Sequence, residues 1–60
     1  MSERLQRGLY AHRKGGIYHV RAAGLDKTKG GAVVIYQDSS DRWYTRSEEE
    51  FFEKFRKIEP

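Results

Sequence analysis

Short apolar–polar alternations fill the first three quarters of the chain, and the last quarter switches to a helical spacing. Residues 9–14 and 17–23 read as two strands, the second rich in aromatic and β-branched side chains. Between them, Gly15-Gly16 signals a two-residue hairpin turn, because such a turn needs positive φ and glycine reaches it without a Cβ clash. Residues 25–31 form a polar loop whose closing glycines permit a second tight reversal. The most apolar run, Ala-Val-Val-Ile-Tyr-Gln at 32–37, is short and β-branched, and is expected as the central strand, buried on much of both faces. Asp-Ser-Ser-Asp at 38–41 is turn chemistry, and residues 42–46 read as a fourth strand.

Ser47-Glu-Glu-Glu50 then has the form of a capping box. The serine oxygen accepts from an early N–H while Glu50 reaches back. Three glutamates at the start and Lys54, Arg56 and Lys57 near the end suit the helix dipole. Phe51, Phe55 and Ile58, with Phe52 beside them, share one helical face and are expected to close the core. The pattern predicts a mainly β (α+β) fold: a small SH3-like antiparallel barrel or curled sheet of about four strands with one C-terminal helix. A flat sheet plus helix is the second choice.

Sixty residues make a single domain, 1–60, with an ordered core expected at about 8–58 and ends, residues 1–7 and 59–60, that fray. Charged residues are 35% of the chain and hydrophobic ones 37%, so the domain is expected to be water-soluble, with no membrane span and no signal-peptide core at the N-terminus. Cysteine is absent, which removes disulfides and thiol chemistry and agrees with a cytoplasmic location. So small a domain has little volume for an enclosed pocket, so an enzyme is not expected and neither is a cofactor.

The net charge of +3 is uneven: residues 1–24 sum to +4, residues 25–46 to +1 and residues 47–60 to −2. A two-residue turn at Gly15-Gly16 would set Lys14 opposite Ile17, Arg13 opposite Tyr18, His12 opposite His19, Ala11 opposite Val20 and Tyr10 opposite Arg21. One face would then carry Leu9, Ala11, Tyr18, Val20 and Ala22 as core. The other would carry Tyr10, His12, Lys14, His19 and Arg21, with Arg42 and Arg46 extending it from the fourth strand. Cations beside an aromatic ring suit phosphates and unpaired bases. The plainer alternative is that these groups only solvate a half-wet sheet.

Other candidate chemistry is weaker. His12 facing His19 would supply two zinc ligands where three or four are needed, so no metal site is expected. Glu48, Glu49 and Glu50 are explained by the helix start and Ser39, Ser40 and Ser47 by turns and capping, so no catalytic residue is assigned. Gly15-Gly16 and Gly30-Gly31 do not precede a helix and are not phosphate loops. Of Trp43 and Tyr44, one is expected in the core and the other exposed, and an exposed Trp43 would be a binding anchor.

The stretch Gly8-x-Tyr10-x-His12-x-Lys14-Gly15, followed by Tyr18-x-Val20, resembles a small bacterial and phage family of unknown function. Its pattern continues with Val-Val-Tyr, here ending at Tyr36, and closes with aromatic-x-Arg-Pro-x-x-Met-Phe, here Tyr44 to Phe51. Ser47 stands in place of the proline and Glu50 in place of the methionine, and the loop before Arg42 is short. The resemblance spans about residues 8–55. It implies a compact SH3-like barrel without a known active site, and matches Tyr10, His12, Lys14, Tyr18 and Arg46 without giving them a role.

Together these readings favour a non-enzymatic binding module that contacts an anionic partner, nucleic acid or a nucleotide, through a basic-aromatic sheet face. A protein-interaction module, self-associating through a strand edge or the aromatics around Trp43, is the alternative.

Overall fold

The computed structural model describes residues 5–58. Residues 1–4 and 59–60, part of the ends expected to fray, lie outside the described residues. The elements are β1 (Gly8–His12), β2 (Ile17–Leu25), β3 (Ala32–Gln37), β4 (Trp43–Ser47), α1 (Glu48–Lys54) and β5 (Phe55–Lys57). They form one five-stranded antiparallel sheet in the order β4-β3-β2-β1-β5. The fold is therefore mainly β with one short helix, and the sheet is not closed, since β4 and β5 remain its edges. β2, not β3, is the middle strand. Among the described residues no helix is long and apolar enough to cross a membrane.

The first hairpin departs from its expected register. Gly15 N–H donates to the His12 carbonyl (2.8 Å) and His12 N–H to the Gly16 carbonyl (3.0 Å), so the loop spans residues 13–15. Gly15, at φ 112°, supplies the positive φ that such a loop needs at its third residue, and Gly16 follows at φ 94°. The strands consequently pair as Leu9↔His19, Tyr10↔Tyr18 and Ala11↔Ile17. That is a displacement by an odd number of residues, and it exchanges the faces of one strand relative to the other. Tyr10 and His12 now share a face with Tyr18 and Val20, while Leu9 shares the opposite face with His19.

The helix is also shorter than its spacing suggests. Its start follows the sequence: Ser47 is the N-cap, and its Oγ accepts from Glu50 N–H at 3.2 Å. It stops at Lys54, and Phe55 is extended, with φ −122° and ψ 148°. The three residues that follow pair with the free edge of β1, as Tyr10↔Lys57, Ala11↔Arg56 and His12↔Phe55. Two flanking bonds lock this junction, Arg13 N–H to the Lys54 carbonyl (2.9 Å) and Ile58 N–H to the Leu9 carbonyl (3.0 Å). A seven-residue helix gains little by lengthening, whereas a fifth strand satisfies donors and acceptors along β1 that would otherwise be bare.

The sheet curls around a core of Tyr10, Val20, Val34, Tyr36, Phe51 and Phe55, all buried, with Leu5, Tyr18 and Phe52 packed against it. Leu5, which precedes β1, thus packs against this cluster. Phe51 and Phe55 remain neighbours although only one is helical; their rings stack at 4.2 Å and 6°. Phe55 also meets Tyr36 at 5.3 Å and Tyr18 at 5.3 Å, and the Arg46 guanidinium lies 5.9 Å above its ring. Side chains from opposite edges of the sheet therefore touch across the concave side without a backbone bond between β4 and β5.

Phe51, with no exposed surface, carries the helix onto this core. Phe51→Ala should lose about 3–5 kcal/mol, a loss read from the shift of the urea unfolding midpoint. Leu25→Ala, at a side chain 75% exposed, should stay within about 0.5 kcal/mol.

Candidate functional site

The concave face holds a hollow of about 160 Å³ lined by His12, Tyr18, Tyr36, Tyr44, Arg46 and Phe55. These side chains come from all five strands, and the pairing explains why they converge. Tyr10↔Tyr18, Val20↔Tyr36, Tyr36↔Tyr44, Val34↔Arg46 and His12↔Phe55 put all of them on one face of the sheet. The aromatic walls are ordered by ring contacts: Tyr36 stacks on Tyr44 at 5.6 Å and 28°, and Tyr18 meets Tyr36 edge-on at 5.7 Å. His12 stands edge-on to Phe55 at 4.7 Å.

The polar atoms of the hollow are mostly donors. Arg46 Nε donates to the Tyr36 hydroxyl at 3.2 Å, a neutral acceptor, and among the described residues its two Nη groups make no hydrogen bond. The same hydrogen bond is the main reason the Arg46 guanidinium is held more firmly protonated than usual, with the Glu50 carboxylate adding less. Having accepted from Arg46, the Tyr36 hydroxyl keeps its own proton to donate. Lys14 N–H donates to His12 Nδ1 at 3.0 Å, which leaves the neutral ring's proton on Nε2. Partial desolvation, followed by the charges of Arg46, Lys14, Lys54 and Arg13, pulls the His12 pKa below its ordinary 6.5. The Tyr44 hydroxyl is already committed, donating to Asp38 Oδ2 at 2.7 Å. That bond is the largest reason why the Asp38 pKa is lowered and the Tyr44 pKa raised.

The basic-aromatic face expected from the two-glycine turn does not form. Tyr10 is 2% exposed and packs edge-on to Phe51, with its hydroxyl donating to the Gln6 carbonyl at 2.8 Å, so it offers no ring for stacking. His12 and His19 lie on opposite faces and cannot share an ion or repel one another as a cross-strand pair. Lys14 sits exposed in the hairpin loop, beside His12 and away from Arg21. Arg21 is on the convex side at the irregularity between Val20 and Ala22, where its Nε donates to Gln37 Oε1 at 2.6 Å. Arg42 belongs to the turn before β4, its N–H donating to Asp38 Oδ1 at 3.0 Å, and does not lie in line with Arg46 along the strand. Neither Trp43 nor Tyr44 enters the core: Trp43 is 61% exposed on the convex face and Tyr44 is 37% exposed at the mouth of the hollow.

The structure thus brings His12 and Arg46 together, keeps Lys14 at their side, and separates the remaining candidates. It adds Tyr18, Tyr36, Tyr44 and Phe55 as lining residues. Their signal in the sequence was the even numbering shared by Tyr10, Tyr18, Tyr36 and Tyr44, which one register alone turns into cross-strand aromatic pairs.

A family model described as a protein of unknown function, DUF1653, matches residues 8–59. The chain belongs to the DUF1653 family. That match takes in every residue lining the concave hollow, and its description gives the DUF1653 family no activity. No curated protein and no solved structure matches the chain.

Because the His12 pKa is lowered in the folded protein, the unfolded chain takes up a proton first as pH falls. Stability should therefore be intact above the ordinary value of 6.5 and decline as pH drops through it toward the folded value. Urea unfolding at pH ~7.5 and ~5.5 should show a larger loss for the native chain than for His12→Gln, which lacks the titrating group.

Proposed function

We propose that this protein is a non-enzymatic binding module that takes an anionic group, the phosphate of a nucleotide or nucleic acid, into the concave hollow. The observation that carries this reading is the Arg46 guanidinium, held beneath aromatic walls by a neutral hydroxyl with its Nη fork unspent. Phosphate and carboxylate oxygens are acceptors, and a bidentate guanidinium matches them in geometry as well as charge. His12 Nε2 and the Tyr36 hydroxyl supply further donors. A cationic ligand, which aromatic walls alone would favour, is opposed here by Arg46. His12, Tyr18, Tyr36 and Arg46, four positions that carry the family resemblance, all line this site.

The architecture is read as an SH3-like barrel left open along one side. Support comes from the strand order, the single helical segment between β4 and β5, and the contact of Arg46 with Phe55 across the unpaired edges. Such barrels host many functions, so the site and not the fold decides the reading.

A second reading, a protein-interaction module, rests on the convex face. There the paired positions Leu9, His19, Gln37 and Trp43 run in one row across four strands, with Leu9 47% and Trp43 61% exposed.

Sulfate, whose charge is constant over the useful pH range, is the simplest probe. Titration followed by ¹⁵N NMR should give saturable shifts at Arg46 Nε and the Lys14 amide, stronger at pH ~5.5 than at ~7.5 as His12 gains a proton. Arg46→Gln should abolish them and Trp43→Ala should leave them unchanged. Shifts that never saturate, or that persist in Arg46→Gln, would overturn the reading.

A further inference from the structure

The two edges of the sheet end differently. β5 is three residues long and carries Arg56 and Lys57, and both its shortness and its charge discourage a further strand from adding there. β4 has five residues, Trp-Tyr-Thr-Arg-Ser, and pairs with β3 from Val33↔Ser47 to Gln37↔Trp43 without a register shift. It holds no proline and no lysine, and its one charge, Arg46, points to the concave side. Trp43, Tyr44 and Thr45 are exposed, so neither α1 nor β5 covers them, and all three residue types favour strand pairing.

The β3–β4 ladder also fixes which backbone groups of β4 are bare. Asp38 N–H donates to the Arg42 carbonyl at 3.1 Å, one step beyond Gln37↔Trp43. Hydrogen-bonded pairs alternate with open ones in an antiparallel ladder, so Tyr44 and Arg46 are the residues that bond to β3. Trp43, Thr45 and Ser47 turn their N–H groups and carbonyls outward, and the Ser47 carbonyl also accepts from the helix that Ser47 caps.

We infer that β4 pairs antiparallel with β4 of a second copy of this chain, centred on Thr45, joining two sheets into one across a two-fold axis. This goes beyond the anion-binding reading and does not depend on it. The strand is complementary to itself in this register. Thr45 meets Thr45, Trp43 meets Ser47 and Tyr44 meets Arg46, and the new hydrogen bonds fall on the three residues whose groups point outward. No like charges are opposed, while threonine pairs and an arginine beside an aromatic ring are favourable cross-strand neighbours. Other registers lose this: centring on Arg46 would oppose two guanidinium groups, and centring on Tyr44 would leave Ser47 without a partner. Five residues a side fall well short of the roughly 20–30 of a standard interface, so the dimer exchanges with monomer.

The test is sedimentation equilibrium of the native chain between about 0.02 and 1 mM, where a weak monomer–dimer equilibrium should be seen. Each chain carries +3, so added salt should leave the association unchanged or strengthen it. The amides of Trp43, Thr45 and Ser47 should gain protection from hydrogen exchange as concentration rises. Thr45→Pro removes an outward N–H without breaking a bond to β3, and loss of the two central bonds should raise Kd at least about tenfold. Thr45→Lys keeps the backbone and opposes two cations at the axis, and should raise Kd by about 2–5-fold. Leu9→Ala, on the convex face of β1 at the other side of the sheet, should leave Kd unchanged. The inference is overturned if the native chain stays monomeric over this range, or if species larger than a dimer form. It is also overturned if Leu9→Ala weakens the association and Thr45→Lys does not, a result that would assign the contact to the convex face.

Discussion

Phe55 is paired with His12 along the backbone of β1 and at the same time packs against Tyr36, Phe51 and Tyr18 across the concave side. This double attachment rolls the sheet. With Phe55 in a helix, β1 would lack its outer partner and the edges of the sheet would have nothing to hold them near each other. With Phe55 in a strand, β5 and β4 face one another through side chains, and Arg46 from the far edge reaches the Phe55 ring. Burial of the aromatic cluster supplies the driving force, and the hydrogen-bonded pairing with β1 gives it direction.

The same arrangement dictates the chemistry of the concave hollow. Aromatic rings that remove Arg46 partly from water would raise the cost of its charge, yet the Tyr36 hydroxyl offsets this by accepting from Nε. No charge is neutralised in that bond. His12 is tuned in the opposite sense, kept uncharged by partial desolvation and by the cations around it, and oriented by the Lys14 amide. One group is thus a fixed cation and the other a neutral donor that becomes cationic in acid.

Much of the secondary structure was legible in the residues. The run at 32–37 is a strand with those bounds, Ser47 caps the helix with Glu50 beside it, and Asp38 builds the turn its side chain suits, accepting from Ser40 and Arg42. Two features were not legible, and each has a physical cause. Lys-Gly-Gly fits both a two-residue and a three-residue loop. Selection between them comes from long-range packing of Tyr10 with Phe51, which no local pattern contains. Likewise, Phe51 and Phe55 have helical spacing and do end up in contact, but the backbone reaches that contact by leaving the helix. The candidate site moved with the register: His12 and Arg46 stayed together, while Tyr10 went inward and Arg21 to the far side.

The seam between β4 and β5 is held by rings and a guanidinium, with no main-chain ladder across it. Its width is therefore set by how tightly the sheet is rolled. A modest unrolling costs no interstrand hydrogen bond, since all of these lie within the four paired ladders. The width of the opening over Arg46 thus follows side-chain packing across the seam, while the strands on either side keep their backbone partners.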